Sequence, residues 1–173
     1  MTPEVHDVYD TMPSPVGALT LVASDAGLTG VWFDAPAERT AGPGWRRAAN
    51  AAGPAVAVLA EARAQLAAYF AGERATFALP LAARGTPFQA RVWAALCGIA
   101  PGETISYAEL ARRVGHPTAV RAVGGANARN PLAIVVPCHR VIGAGGALTG
   151  FAGGVERKRW LLAHEGALAG ALV

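Results

Sequence analysis

The stretch that decides the fold is Ser106–Ala128, SYAELARRVGHPTAVRAVGGANA. Its first residue is a typical N-cap, and Glu109 completes a capping-box pattern, which predicts a helix that runs to about Val114. A tight turn follows at Gly115–Pro117, and we expect Thr118 to cap a second helix that fills the rest of the stretch. Two short capped helices joined by a turn that contains glycine are typical of a helix-turn-helix.

The second of these helices has an unusual surface. It carries one long charged side chain, Arg121, and two interior glycines, Gly124 and Gly125. Each interior glycine costs roughly 1 kcal/mol of helix stability relative to alanine. Small size at these positions therefore indicates either close approach of a DNA backbone or tight packing between helices. Since one arginine cannot read many base edges, we expect binding through phosphates and groove shape.

The residues N-terminal to this motif predict a small β-sheet with one helix. The segment Val8–Phe33 is of strand type, with a hairpin turn at Asp25–Gly27. Ala35–Gly53 is rich in Pro, Gly and Ala and predicts a loop with room for a short helix. Apolar residues at helical spacing predict a helix over Pro54–Ala71, and Phe77–Leu81 is expected to form a short strand.

The C-terminal side predicts mainly helices and loops. Phe88–Ile99 is an amphipathic pattern, and Val155–Glu165 is expected to form the last helix. Between them, Leu132–Pro137 is an apolar run of strand type that ends at Cys138. Gly143–Gly154 contains six glycines and predicts a loop.

The linker at 82–87 divides the chain of 173 residues into domains 1–85 and 86–173, with fold class α+β. Hydrophobic residues make up 53% and charged residues 16%, which favours a packed core over disorder. The first domain has six arginines against eight acidic residues, a net charge of −2. The second has nine basic against four acidic residues, a net charge of +5. A basic second domain fits a polyanionic partner, and a merely solvated basic surface is the alternative.

Several classes of protein are excluded by composition. No apolar run approaches the ~20 residues that span a bilayer, so no membrane partner is expected. The acidic segment Met1–Asp10 lacks the pattern of a secretory signal, and we expect a cytoplasmic protein. The two cysteines, Cys97 and Cys138, lie 41 positions apart, which fits neither a disulfide framework nor a structural zinc site. We predict no metal site, and a structural role for Cys97.

The stretch Ile134–Ile142, IVVPCHRVI, carries the most chemical information. Pro137 ends the expected strand, and two polar residues then follow Cys138 in an otherwise apolar run. A thiol reacts as the thiolate, and a neighbouring base or cation lowers its pKa. His139 is a candidate base, acting through a water because adjacent side chains on extended backbone point to opposite faces. Glu165 is a candidate to orient that imidazole. An inert buried cysteine is the alternative interpretation.

These residues closely resemble one family, the O6-alkylguanine-DNA alkyltransferases. The active-site signature of that family, Pro-Cys-His-Arg-Val, lies at Pro137–Val141. Further matching blocks follow in order at Pro101–Tyr107, Arg121–Ala126, Asn130–Pro131, Gly150–Gly154, Lys158, Trp160–Leu162 and Glu165–Gly166. The resemblance covers about residues 86–168 densely, whereas the N-terminal half is similar only in its order of strands and helix.

The resemblance implies a ribonuclease H-like N-terminal domain and a winged helix-turn-helix C-terminal domain. It implies irreversible transfer of the alkyl group from O6-alkylguanine, and from O4-alkylthymine, in double-stranded DNA to a cysteine of the protein. One molecule repairs one lesion, and no cofactor is needed. Because O6 of a paired guanine is occupied within the duplex, the base must be flipped out. We expect a monomer, and cooperative binding along DNA stays open.

By the same resemblance, five residues carry out the transfer. Cys138 accepts the alkyl group, His139 removes its proton through a water, and Glu165 orients His139. Asn130 braces the turn that holds the cysteine. Tyr107 donates a proton or a hydrogen bond to the guanine as it leaves.

A second set of residues is implied in binding base and DNA: Arg121, Gly124, Gly125, Val141, Phe151 and Ala152. Arg121 fills the gap left by the flipped nucleotide, and its helix lies in the minor groove. The backbone around Val141 and Ala152 holds the edge of the base. Phe151 departs from the tyrosine of many members and lacks that hydroxyl. Some members also have N-terminal zinc ligands, of which this chain has only His6.

Two other functions stay open at this point. One is a binding module that recognises alkylguanine without reacting with it, against which the presence of Cys138 argues. The other is a Cys-His-Glu hydrolase or redox sensor, which would turn over or oxidise reversibly.

Overall fold

The computed structural model describes residues 7–34, 44–148 and 150–167. The chain divides into two units, Met1–Arg84 and Gly85–Val173. The first unit is a sheet with a helix and the second is mostly helical, which confirms the expected α+β class. None of the helices in the described ranges has the length and apolar character needed to cross a bilayer.

The first unit contains a four-stranded sheet. Its strands are β1 (Val8–Met12), β2 (Leu19–Ser24), β3 (Gly27–Phe33) and β4 (Arg46–Arg47), and their spatial order is β3-β2-β1-β4. The first three are antiparallel neighbours, as expected for two consecutive hairpins, and β4 pairs in parallel with β1. The expected loop over 35–53 lies partly outside the described residues, and its described part contains β4 and a short 3-10 turn.

Helix α1 (Pro54–Phe70) packs on this sheet. It begins with a proline in its first turn, where the missing N–H carries no cost. It ends before Gly72, whose φ of 76° is a left-handed conformation that glycine adopts readily. The core of the unit consists of apolar side chains from both layers: Leu19, Leu21, Leu28, Val31, Leu59, Ala62, Leu66 and Tyr69.

The strand predicted over 77–81 is wrong. The segment meets β3 only at a single bridge between Leu28 and Leu81. Pro80 has no N–H for a ladder, and the backbone of Ala78 bonds instead to the side chain of Gln65 on α1. The amide oxygen of Gln65 accepts from Ala78 N at 2.9 Å, and its nitrogen donates to Ala78 O at 3.0 Å.

The second unit confirms the helix-turn-helix. Its elements are α2 (Pro87–Leu96), β5 (Ile105–Ser106), α3 (Tyr107–Val114), α4 (Val120–Ala128), β6 (Val141–Ile142) and α5 (Val155–His164). Helices α3 and α4 form the predicted pair and pack against each other. Strands β5 and β6 form a parallel ladder in which Ile105 pairs with Val141 and Ser106 with Ile142.

The ends of these two helices differ partly from expectation. Ser106 caps α3 as predicted, because its hydroxyl accepts from the backbone N–H of Glu109 at 3.1 Å. The Glu109 carboxylate does not complete the capping box; it pairs with Arg112 and Arg113. The predicted cap at Thr118 is wrong, since α4 begins one residue later, after Ala119, without a side-chain cap.

The strand predicted over Leu132–Pro137 is also wrong. The segment forms consecutive tight turns, with hydrogen bonds from Val136 N to Leu132 O and from Cys138 N to Val136 O. Ile134 has a φ of 71°, a left-handed conformation that is rare for a β-branched residue. The apolar, β-branched composition favoured a strand, but hydrogen bonds from outside the segment determine its shape.

Candidate active site

Cys138 begins a 3-10 turn, Cys138–Arg140, directly after the irregular segment. Its side chain is buried, with 6% of its surface exposed, and it forms no disulfide. Burial raises the pKa of the thiol, and a hydrogen bond with Asn130 and the positive charge of Lys158 oppose that shift only in part. The neighbours lower the pKa of the thiol as expected, but burial outweighs them and the net shift is upward. Cys138 and His139 lie in this turn and not on the extended backbone that the sequence predicted. The prediction that their side chains point to opposite faces of a strand therefore does not apply.

The side chain of Asn130 holds the segment that leads to the cysteine. Its nitrogen donates to Val136 O at 2.8 Å, and its oxygen accepts from Leu132 N at 3.0 Å. The same side chain is within hydrogen-bonding reach of Cys138. Asn130 thus satisfies two buried backbone groups that have no strand partner.

His139 and Glu165 form a buried pair next to the cysteine. Nε2 of His139 lies 2.9 Å from Oε1 of Glu165, and neither side chain is more than 2% exposed. Burial lowers the pKa of His139, which favours the neutral imidazole. Burial alone would raise the pKa of Glu165, but hydrogen bonds from Arg140 and His139 outweigh it and lower the pKa to about 2.

The charge of Glu165 determines the tautomer of His139. An ionised carboxylate only accepts hydrogen bonds, so the proton of the neutral imidazole lies on Nε2. Nδ1 then carries a lone pair. This atom is buried and has no hydrogen-bond partner among the described residues.

Tyr107 lies between two glycines. A methyl group added at Gly150 would stand 3.0 Å from the Tyr107 hydroxyl, and one added at Gly124 would stand 3.7 Å from its ring. The ammonium of Lys158 lies 5.9 Å from the centre of the same ring. The structure thus brings Tyr107 together with α4, the second helix of the helix-turn-helix, and with the glycine-rich loop. Phe151 and Ala152 directly follow Gly150 in that loop.

The outer face of α4 is open. Arg121 and Gly125 are both exposed, and a methyl group added at Gly125 would meet nothing within 4 Å. Packing between helices therefore does not explain the glycine at 125. Close approach of a partner's backbone is the remaining explanation of the two that the sequence allowed.

The described residues contain no group of three His, Cys, Asp or Glu side chains arranged to hold a metal ion. His6 lies outside the described residues. Cys97 is exposed where α2 ends.

Two sequence profiles cover the chain. The 6-O-methylguanine DNA methyltransferase ribonuclease-like domain matches residues 8–83, and the DNA binding domain of the same protein matches residues 87–167. The chain belongs to the 6-O-methylguanine DNA methyltransferase family.

Curated members of the family are similar over most of their length. The methylated-DNA–protein-cysteine methyltransferase of Mycolicibacterium paratuberculosis is 50% identical over 157 residues, 91% of each chain. The constitutive enzyme of Bacillus subtilis is 47% identical, covering 91% of this chain and 94% of its own. The chain therefore has the enzymatic class of these relatives, methyl transfer from methylated DNA to a cysteine of the protein.

Solved structures of the family agree in fold. The O6-methylguanine methyltransferase of Mycobacterium tuberculosis superposes with a TM-score of 0.78 at 48% identity, over 92% of each chain. The OGT protein of the same organism in complex with DNA gives the same TM-score and identity, covering 93% of this chain and 92% of that one. These matches support DNA as the partner of this family member.

Sequence reasoning missed the role of Arg140 in this methyltransferase. Its Nε donates to Glu165 Oε1 at 2.9 Å, its Nη2 to Oε2 at 2.8 Å, and its Nη1 to Ile99 O at 2.6 Å. Arg140 thus fixes the carboxylate that fixes His139. The available signal was an arginine inside an apolar run, because such a residue has to find a buried anion.

Lys158 is a second residue to which sequence reasoning gave no role. The side chain is fully buried, and its ammonium donates to Val141 O at 2.5 Å. Burial lowers the pKa of Lys158 to about 8, and a thiolate at Cys138 would raise it. Lysine is rarely buried without a partner, and composition gives no sign of one here. The signal available in the sequence was the place of Lys158 among the blocks that match the family.

Replacing Arg140 tests the buried ion pair. Arg140→Leu leaves the Glu165 carboxylate buried without its bidentate partner, which should lower the free energy of unfolding at neutral pH by about 3–5 kcal/mol. The wild-type pair stabilises fully above the ordinary carboxyl pKa of 4.5, and this stabilisation is lost as pH falls toward about 2. The difference between wild type and variant should therefore narrow over that interval, as measured by urea unfolding at several pH values.

The control is Arg159→Leu, which removes an exposed arginine paired with Glu156. An exposed pair contributes at most about 1 kcal/mol, so this variant should stay close to wild type. Equal unfolding free energies for wild type and Arg140→Leu at neutral pH would contradict the role of the pair.

Replacing Gly125 tests the open face of α4. Gly125→Ala meets no neighbour and should stabilise the helix by up to about 1 kcal/mol. The added methyl group should nevertheless weaken DNA binding, because it holds the DNA backbone away from the helix. Fluorescence anisotropy with a labelled duplex measures the affinity. Gly98→Ala adds the same group at an exposed position outside the helix-turn-helix and should bind as wild type does; undiminished affinity in Gly125→Ala would refute the contact.

Proposed function

We propose that this protein repairs O6-alkylguanine in DNA by moving the alkyl group irreversibly onto its own Cys138, once per molecule. The observation that carries the proposal is the buried His139–Glu165 pair, 2.9 Å apart, whose histidine directly follows Cys138 in one turn. That pair offers a neutral imidazole with an available lone pair beside a buried thiol. The arrangement has the logic of a nucleophile, a base and an orienting carboxylate.

The thiol needs a base because its pKa is raised by burial. In the proposed reaction the proton of Cys138 passes through a bridging water to Nδ1 of His139. The resulting imidazolium keeps its Nε2–H bond to Glu165, which is ionised and stabilises the new charge. Lys158 stabilises the thiolate, since its ammonium acts on Cys138 from the same buried region.

The thiolate then attacks the sp³ carbon attached to O6. The sulfur–carbon bond forms while the carbon–oxygen bond breaks, and its electron pair leaves with the guanine. Tyr107 donates a proton or a hydrogen bond to the departing base, because a neutral leaving group is better than an anion. The product is a thioether, which no ordinary route reverses, so each molecule acts once.

Access to O6 requires that the damaged nucleotide rotates out of the duplex, at a cost of a few kcal/mol. We propose that α4 lies in the minor groove and that Arg121 takes the place of the extruded base, which offsets part of this cost. The exposure of Arg121 and the open surface at Gly125 support this arrangement. The backbone around Val141 and Ala152, with Phe151 beside it, receives the base.

Further properties belong to the same proposal. The five residues proposed to carry out the transfer all come from one unit of one chain, which supports action as a monomer: Tyr107, Asn130, Cys138, His139 and Glu165. We propose that the protein acts in the cytoplasm, accepts O4-alkylthymine as a second substrate and needs no cofactor.

Mass spectrometry tests the transfer directly. Incubation with a duplex that contains O6-methylguanine should add one methyl group to the peptide with Cys138 and stop at one equivalent. Cys138→Ser should gain no mass, because an alcohol is a far weaker acid and nucleophile than a thiol, while its affinity for the lesion duplex survives.

Other results would favour the other functions. Binding without a mass change in the wild type would point to a reader of alkylguanine, and repeated turnover on an ester would point to a hydrolase. Loss of DNA affinity in Cys138→Ser would indicate a structural role for the residue.

Replacing Arg121 separates flipping from chemistry. Arg121→Ala should slow repair of a duplex about tenfold, equivalent to about 1.4 kcal/mol of lost stabilisation. Reaction with free O6-benzylguanine, which needs no flipping, should keep its rate. Arg74→Ala removes an arginine from the other unit and serves as the control. Equal losses on duplex and free base would remove the proposed flipping role.

A further inference from the structure

One hydrogen bond joins α2 to the recognition helix. The indole N–H of Trp93 donates to the backbone carbonyl of Ala126 at 2.9 Å. Both residues are buried, at 6% and 4% exposed. A buried indole N–H needs an acceptor, and here that acceptor is a carbonyl inside α4.

The carbonyl of Ala126 has lost its regular helical donor. In a continuing α-helix it would accept from the N–H of Asn130, four residues later. That N–H donates instead to Asn127 O at 3.3 Å, because the helix tightens at its end. Arg129 N is shared between the carbonyls of Gly125 and Ala126, at 3.2 Å each. The indole of Trp93 therefore supplies an unshared hydrogen bond to the Ala126 carbonyl, in the last turn of α4.

The opposite edge of the indole is held as well. A methyl group added at Gly85 would lie 2.4 Å from Cη2 of Trp93 and 2.7 Å from Oε1 of Gln89. Gln89 is itself fixed by the capping box at Thr86. Backbone at one edge and a helix carbonyl at the other leave the indole little freedom to move.

We infer that Trp93 is a positioning residue for alkyl transfer, which acts through the end of α4 and Asn130 on Cys138. Asn130 lies four residues after Ala126, and its side chain holds Val136 O and Leu132 N. The indole thereby fixes the end of α4, from which the Asn130 side chain reaches the segment before Cys138. It also fixes the position of Asn130 relative to α4, the helix that we propose to face DNA. This inference rests on the proposed function, because Cys138 is the acceptor.

The inference predicts a defined effect on the thiol. The hydrogen bond of Asn130 lowers the pKa of Cys138, in opposition to burial. A displaced Asn130 should therefore raise that pKa, while His139 and Lys158, the other groups that act on the site, keep their places. Trp93→Phe keeps an aromatic ring in the core and removes only the N–H and part of the bulk.

The experiment combines two measurements on the whole chain, a rate of methyl transfer and a pH midpoint of thiol modification. Trp93→Phe should slow single-turnover methyl transfer from a saturating lesion duplex by roughly three- to tenfold, the range expected for one hydrogen bond. The pH midpoint for modification of Cys138 by iodoacetamide should move upward in the same variant. In Asn130→Ala both effects should be present already, so adding Trp93→Phe to it should change little further.

Trp32→Phe, which makes the same change in the other unit, is the control and should leave both measurements unaltered. If Trp93→Phe does not fold, Gly85→Ala displaces the indole ring while it retains the N–H, and it should act in the same direction. An unchanged rate and pH midpoint in a folded Trp93→Phe, or full additivity with Asn130→Ala, would overturn the inference. Failure of the wild type to methylate Cys138 would instead refute the proposed function, whereas the iodoacetamide midpoint tests Trp93 without DNA.

Discussion

The buried carboxylate of Glu165 is the constraint on which the site depends. An ionised carboxylate in an apolar interior is stable only if its oxygens are bonded to donors. Here His139 and Arg140 supply three such bonds, at 2.8–2.9 Å. The two donors belong to the turn that carries Cys138, and the carboxylate lies just after α5. One charge thus joins two distant parts of the chain and sets the imidazole tautomer.

The raised pKa of Cys138 is compatible with a nucleophilic role. A permanently ionised thiol would react with oxidants and with other electrophiles in the cell, since the thiolate is the reactive form. Burial keeps the thiol protonated, and His139 is held neutral nearby to take the proton. In the proposed reaction, proton transfer within the site forms the nucleophile, and Lys158 compensates part of the cost of the buried anion.

The sequence predicts most of the fold because the decisive signals are local. Ser106 and Gly115 mark the ends of α3, and the pattern of strands and turns in 8–33 is a property of neighbouring residues. The errors are at places where a side chain outside the segment takes up its backbone hydrogen bonds. The side-chain amide of Gln65 bonds to the backbone of Ala78 within the segment 77–81. The side-chain amide of Asn130 bonds to the backbone of the segment 132–137, which composition alone assigns to a strand.

The same distinction separates the site residues that sequence identified from those it missed. His139 and Glu165 are paired next to Cys138 as the pattern indicated, because a thiol, an imidazole and a carboxylate are recognisable by residue type. Arg140 and Lys158 act through what they contact after folding, namely a carboxylate, two carbonyls and a ring. No local periodicity encodes those contacts.

The short ladder of β5 and β6 has a consequence for how such a protein can change. Ser106, the cap of α3, pairs with Ile142, which comes just after the turn that carries Cys138. The helix-turn-helix and the turn that carries Cys138 therefore share one piece of backbone structure. A chimera that imports a foreign helix pair without residues 105 and 106 would lose the ladder that orders the exit from the turn. A change in the helix pair that breaks this ladder therefore also reaches the turn that carries Cys138.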